Sequence, residues 1–251
     1  MKLSACLALP FLLLPMLAGP LAAQDDVAKP QQLIDRAIKA IGGTKALNKT
    51  RNTILEDEGT YYGMGNGVPY TGRYVTEYGS PGRHRMEIQD AFLSVTAKNQ
   101  AWISVMGMTI DLDGDALEVA KKGMLVTYAT SLIPLQKPNK KFKLSKAEPE
   151  SVEGEECVGI KIDHEGMPTV TMHFSKKTGL MKKVKHLMKA QELGFKEVTD
   201  ETIFHEYKKF DGVLHPSKMT IFRDGKKFVE SNPKNVTFPK QLDESEFKRP
   251  E

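Results

Sequence analysis

Residues 157–174 read CVGIKIDHEGMPTVTMHF, and this stretch decides the fold class. Apolar and polar residues alternate on both sides of a turn signal at Asp163–Met167, which is the period of a β-strand. One parity is apolar in both runs: Val158, Ile160 and Ile162, then Val170, Met172 and Phe174. The other parity carries Lys161, Asp163, Thr171 and His173. The pattern therefore predicts an antiparallel hairpin with one buried face and one solvated face.

The same alternation recurs along most of the chain. Short β-type runs occupy Arg83–Ile88, Phe92–Lys98 and Ala101–Met108. Asn66–Gly67 is a type I′ hairpin signal, set between alternating residues 54–62 and 70–78. Short strands at this spacing predict an antiparallel meander. We see no linker or repeat, so residues 24–251 are expected to form a single domain.

Two segments have helical periodicity instead. In Val27–Ile41 the apolar residues recur at helical spacing, and two glycines follow as a stop signal. Asp113–Leu135 lacks alternation, and one apolar stripe is formed by Met124, Leu125, Tyr128, Leu132 and Ile133. These segments are the obvious covers for the apolar sheet face. The sequence thus predicts a mainly β, α+β fold covered by an N-terminal helix and a mid-chain helical segment.

The first 23 residues have the layout of a secretory signal peptide. A basic start at Met1–Lys2 precedes the apolar run Leu7–Leu17, and small residues end at Ala22–Ala23. The run is shorter than the roughly 20 apolar residues of a membrane-spanning helix. We expect export to the periplasm with cleavage near Ala23.

Composition and motifs exclude several classes of protein. The 36 basic and 32 acidic residues nearly balance, which does not favour a nucleic-acid binder. Cys157 is the only cysteine after the signal segment, so no internal disulfide is expected. The Asp111, Asp113, Asp115 triplet has calcium-loop spacing, but alanine stands at position 116 and lysine at 122. His205–Glu206 begins a zinc-peptidase motif that Lys209 breaks. We expect no metal, no cofactor and no catalytic residues.

Several segments resemble the lipoprotein-carrier (LolA-like) superfamily of exported bacterial proteins. They are Ala37–Gly43, Phe174–Leu180, Tyr207–Pro216, Asp224–Lys227 and Leu242–Phe247. The resemblance implies a strongly curved antiparallel sheet, an incomplete barrel closed by helices, whose cavity binds acyl chains of lipoproteins or other lipids. It also implies a functional arginine, for which Arg73, Arg83 and Arg85 are the candidates.

Three functions stay open at this stage. The favoured one is a carrier or sensor that holds the acyl chain of a lipid or lipoprotein between the sheet and the mid-chain cover. Its expected lining residues are Trp102, Met106, Met108, Met124, Tyr128 and Leu132. The second is a non-catalytic envelope scaffold of the same fold with a packed interior, and the third is a hydrolytic enzyme. We expect a monomer that binds no nucleic acid, and an envelope membrane partner is compatible with the carrier hypothesis.

Overall fold

The computed structural model describes residues 29–137 and 139–250. The predicted signal segment lies outside these residues. The strands are β1 Asn52–Tyr61, β2 Val68–Glu77, β3 Arg83–Ile88, β4 Phe92–Ala97, β5 Gln100–Val105, β6 Met108–Asp111, β7 Lys143–Val152, β8 Glu155–Asp163, β9 Val170–Ser175, β10 Met181–Ala190, β11 Lys196–Phe210, β12 Val213–Arg223 and β13 Lys226–Thr237. The α-helices are α1 Pro30–Ala40, α2 Gly43–Lys49 and α3 Gly114–Thr130, and short 3₁₀ helices lie at Ile133–Leu135, Gln191–Leu193 and Glu244–Phe247.

The thirteen strands of residues 29–137 and 139–250 belong to one sheet in the order β6-β5-β4-β3-β2-β1-β13-β12-β11-β10-β9-β8-β7. Neighbouring strands are antiparallel throughout. The edge strands β6 and β7 stand at opposite ends of this order, so the sheet is not closed. The mainly β class and the incomplete barrel expected from the sequence are therefore confirmed.

The helices cover the face that alternation marks as apolar. Ile160 on β8 pairs with Met172 on β9, and both side chains are fully buried against α1 and the end of α3. Leu33, Ile34, Ala37 and Ile38 form the buried face of α1, as their spacing predicts. We call this packed region the main core. The fully buried members of the main core show that the sheet packs directly against the N-terminal helix and the mid-chain helical segment in this half of the molecule.

A second cluster fixes the C-terminal segment onto β2–β5. Val75, Val95 and Trp102 are buried there with Leu242 and Phe247. Two forked ion pairs add to the contact: Arg73 donates to Glu246, and Arg83 to Glu244, at nitrogen–oxygen distances of 2.6–3.0 Å. Bidentate pairing of this kind fixes orientation as well as distance. The C-terminal segment is thus held by both apolar burial and charge.

The mid-chain cover differs from the prediction in its length and its buried side. α3 ends at Thr130, because Leu132 adopts a left-handed φ of 66° and a 3₁₀ turn that contains Pro134 follows at Ile133–Leu135. The buried residues of α3 are Met124, Val126 and Ala129. The predicted five-residue stripe on one helix is therefore wrong. Leu132 and Ile133 are buried in the main core from a turn that follows the helix.

The other differences between the structure and the sequence-based prediction are small. The β1–β2 hairpin forms where it is predicted, but its connection runs from Tyr62 to Gly67, which is longer than a two-residue type I′ turn. α2 has no counterpart in the sequence-based prediction. None of the helices in residues 29–137 and 139–250 has the length and apolarity needed to cross a membrane.

Candidate functional site

An open groove of about 640 Å³ separates the N-terminal half of α3 from the sheet. One wall is the helix, and the other is formed by β10, the start of β11 and the β8–β9 connection. The lining residues are Asp115, Glu118, Val119, Lys122, Gly123, Val126, Gly166, Met167, Pro168, Thr169, His186, Leu187, Met188, Lys189 and Glu197. The volume lies within the range of roughly 300–1,000 Å³ that is typical of small-molecule sites.

The helix wall follows from simple helical spacing. Val119, Gly123 and Val126 recur at intervals of four and three residues, which places them on one side of α3. A Cβ atom built on Gly123 would meet no other heavy atom within 4 Å. Gly123 therefore leaves space along the helix, whereas Val126, further along, reaches the main core. The groove continues directly into packed interior at that end.

The sheet wall follows from the alternation of β10. Val184 is buried in the main core, so His186 and Met188 share its side of the strand. Met188 pairs with the buried Val198 of β11. Valine and methionine side chains thus form an apolar floor facing α3. Met adapts its shape to irregular partners, which suits a surface that accepts a flexible ligand.

The pKa values of two titratable groups in this wall, His186 and Asp200, are shifted in opposite directions. Burial, followed by the charge of Arg223, lowers the pKa of His186 to about 4. Burial raises the pKa of Asp200, its partner across the strands, to about 6. Arg223 lies 3.5 Å from the Asp200 carboxylate and also pairs with Glu192. His186 is therefore neutral at pH 7, and the wall carries no uncompensated buried cation.

The six residues expected to line the cavity lie in different parts of the molecule. Trp102 is buried in the cluster under the C-terminal segment. Met106 and Met108 are 92% and 66% exposed at the β5–β6 turn, where no described residue covers them. Their exposure places both side chains on the surface of the molecule. None of these three side chains borders the groove.

The other three expected residues belong to packed interior. Met124 is buried, with its methyl group close to Gly82. The ring of Tyr128 packs edge-on against Phe142 at a centroid distance of 6.2 Å. Leu132 is buried in the main core. None of these three residues lines the groove, which lies nearer the start of α3.

The residues that do form the groove had recognisable sequence signals. Val119 and Val126 are seven residues apart, which is a helical repeat, and a glycine in mid-helix indicates either close approach or open space. The candidate arginines are engaged elsewhere. Arg85 donates to the Glu246 carbonyl and pairs with Glu87, and Arg73 and Arg83 hold the C-terminal segment. Among the described residues, no group of three or more His, Cys, Asp or Glu side chains is placed to hold a metal ion.

Comparisons with known proteins locate this architecture among solved folds. No protein-family model matches the sequence, and no curated protein matches it. A DUF1329 family protein from Desulfovibrio piger is similar in structure, with a TM-score of 0.57, 13% identity, and coverage of 88% of this chain and 98% of that one.

Two further solved structures share the fold. A putative outer membrane lipoprotein-sorting protein domain from Vibrio parahaemolyticus has a TM-score of 0.56 at 11% identity, covering 87% of this chain and 95% of that one. A LolA superfamily protein from Nitrosomonas europaea has a TM-score of 0.56 at 8% identity, covering 88% and 98%. The chain therefore has the LolA-like fold.

Proposed function

We propose that this protein is an exported periplasmic carrier or sensor that binds the acyl chain of a lipid or lipoprotein in the groove beside α3. The observation that carries the proposal is the groove itself: an open volume of about 640 Å³ between a helix and the apolar side of a LolA-like sheet. One similar structure is a LolA superfamily protein and another is a putative outer membrane lipoprotein-sorting protein domain, and this likeness supports such a ligand.

The physical basis of binding is apolar burial. Each methylene removed from water contributes roughly 0.8 kcal/mol, so an acyl chain gains affinity without polar recognition. Val119, Val126 and Met188 supply apolar walls, and the neutral state of His186 at pH 7 keeps a full charge out of the floor. Because one end of the groove is closed by the main core, the ligand would enter from the other end.

The direct test fills the groove without disturbing packed residues. Gly123→Trp places a large side chain where a Cβ atom meets only open space. We expect wild-type protein to bind a fluorescent fatty acid and Gly123→Trp to lose most of that binding at an unchanged melting temperature. Gly123→Ala is the matched control, because one methyl group leaves the groove open. Equal binding by wild type and Gly123→Trp would exclude this groove as the site.

Export can be tested independently. N-terminal sequencing of the protein recovered from the periplasm should begin near Gln24. Native mass spectrometry of the same preparation should show a co-purified lipid. A mature chain that keeps residues 1–23 would contradict the proposed location.

A non-catalytic scaffold is the second candidate, and the filled half of the molecule favours it. Ile34, Leu47 and Leu135 are fully buried among the other side chains of the main core, so this half of the molecule is packed. A wild-type protein that binds no fatty acid and carries no lipid from its own envelope would support the scaffold over the carrier.

A further inference from the structure

The connections between strands divide into two sets, one at each end of the sheet. Because neighbouring strands are antiparallel, the connections β1–β2, β3–β4, β5–β6, β8–β9, β10–β11 and β12–β13 all lie at one end. We call this the Met106 end of the sheet, after the residue in the β5–β6 connection. The sheet wall of the groove also lies here, because it consists of the β8–β9 connection, the last residues of β10 and the first residues of β11.

Exposed apolar side chains are concentrated at the Met106 end. Met106 and Met108 form the exposed pair at the β5–β6 turn, and Met64 is 79% exposed in the β1–β2 connection. Leu193 is exposed in the β10–β11 connection. Within residues 29–137 and 139–250, no connection at the opposite end of the sheet carries an exposed large apolar side chain. The distribution of these side chains is therefore one-sided.

Met106 occupies its position against local preference. Met106 and Gly107 both have a positive φ, of 51° and 77°, as the central residues of a type I′ hairpin turn require. Asparagine, aspartate or glycine is usual at the first of these positions, because such residues tolerate the left-handed region. Methionine is strained there, and its exposed side chain gains no burial that would offset the strain. Strain without a packing gain is typical of a functional position.

The methionines lie at separate points of a charge-poor surface. The β1–β2 and β5–β6 connections are about 19 Å apart, since four strand spacings separate them. The connections at 62–67, 89–91 and 106–107 contain one charged residue, Asp90. A protein partner usually covers a continuous patch of about 800 Å². A fluid bilayer instead accepts separate apolar side chains, and a shortage of charge lowers the cost of approaching it.

We propose that the Met106 end docks on the surface of a lipid bilayer, with Met64, Met106 and Met108 inserted among the lipids. This docking surface goes beyond the acyl-binding function proposed above and does not depend on it. Because Asp90 is the one charged residue of the three connections, apolar burial rather than attraction to anionic lipids drives the docking. The groove shares this end of the sheet, so docking brings its sheet wall close to the membrane.

Cosedimentation with phosphatidylcholine vesicles measures the docking. Protein recovered from the periplasm should bind these vesicles, and vesicles with added phosphatidylglycerol should bind it no more tightly. Met64→Ser and Met108→Ser should each weaken binding about tenfold, since burial of a methionine side chain contributes at least about that factor. Both side chains are exposed, so the two variants should keep the wild-type melting temperature.

Met106→Asn separates docking from folding. Asparagine suits the first central position of a type I′ turn, so this variant should melt at or above the wild-type temperature. Its binding to phosphatidylcholine vesicles should be about tenfold weaker. Asn99→Met is the matched control, because it adds a methionine at an exposed position of the β4–β5 connection, at the opposite end of the sheet. It should leave vesicle binding unchanged.

The outcomes identify what covers the Met106 end. Wild-type protein that stays unbound, or Met106→Asn that binds vesicles as tightly as wild type, would overturn the docking. Tighter binding by Asn99→Met would overturn it too, because any exposed methionine would then suffice. A dimer in analytical ultracentrifugation that Met106→Asn dissociates, without vesicle binding, would assign this end to a second copy of the chain.

A separate measurement keeps the docking distinct from the acyl-binding function. Fatty-acid binding without vesicles should be the same for wild type and Met106→Asn, because Met106 does not line the groove. Failure to bind vesicles would therefore leave acyl binding intact. Failure to bind a fatty acid, with vesicle binding that still depends on Met106, would contradict the carrier function and leave the docking surface in place.

Discussion

The two halves of α3 have the same helical geometry but different surroundings. Residues 114–123 border an open groove and include three charged lining residues, Asp115, Glu118 and Lys122. Residues 124–130 carry all of the buried positions of the helix, Met124, Val126 and Ala129. One helix can therefore belong to the core and also form a groove wall, because its packed C-terminal half holds in place the N-terminal half that faces open space.

Leu132→Asp should have the largest effect on stability, because it places a charge in the packed turn that follows α3. Leu132 is 4% exposed in the main core, and an unpaired buried carboxylate costs several kcal/mol. We expect a loss of at least about 4 kcal/mol in the free energy of unfolding, measured by urea denaturation. Leu193→Asp is the control, since Leu193 is 54% exposed. Equal effects of the two changes would mean that the turn after α3 is not packed against the main core.

His186 makes the groove half sensitive to acid. Its pKa is lowered to about 4 in the folded state, so the unfolded chain binds a proton first as the pH falls below about 6.5. Stability from this group is therefore lost between about pH 6.5 and pH 4. The raised pKa of Asp200 has the opposite sign and favours the folded state as the pH falls from about 6 towards 4.

The two contributions can be separated by substitution. His186→Gln should remove the acid-induced loss in the free energy of unfolding that His186 causes, on the order of 3 kcal/mol at pH 4 relative to pH 7. Denaturant unfolding of wild type and variant across this pH range measures the difference. Parallel pH profiles of the two proteins would show that His186 is not buried in its neutral form.

Tyr128→Ala should affect stability and leave the ligand in place. Tyr128 contacts Phe142 and the main core, and it does not border the groove. Removing a half-buried aromatic ring should cost about 2 kcal/mol in the free energy of unfolding. Fluorescent fatty-acid binding by the folded variant should match that of the wild type. Weaker binding at an unchanged melting temperature would instead make Tyr128 part of a lid.

Gly123→Ala should have the smallest effect, and a stabilising one. Glycine in a helix interior is less favourable than alanine by up to about 1 kcal/mol, and the added methyl group meets no neighbour within 4 Å. A melting temperature a few degrees above that of the wild type is expected by differential scanning calorimetry. A lower melting temperature would show that the groove half of α3 is more tightly packed than the open space at Gly123 indicates.

Much of the fold could be predicted because its determinants are local. The parity of Val158, Ile160 and Ile162 identifies the buried face of β8, since a strand reverses its side chains at every residue. Helical spacing likewise identifies the buried face of α1. The groove could not be predicted in the same way. Its lining residues come from four elements, α3, the β8–β9 connection, β10 and the start of β11, and only those on α3 share a helical repeat.

The sequence by itself determined the strand-rich class, the antiparallel meander and the two covering segments. Only the tertiary structure decided that Leu132 leaves the helix in a left-handed turn, that Trp102 lies under the C-terminal segment and that space remains beside Gly123. Periodicity records which way a side chain points from its own backbone. A groove is the volume that several distant elements fail to fill, so it depends on their mutual placement rather than on any one segment.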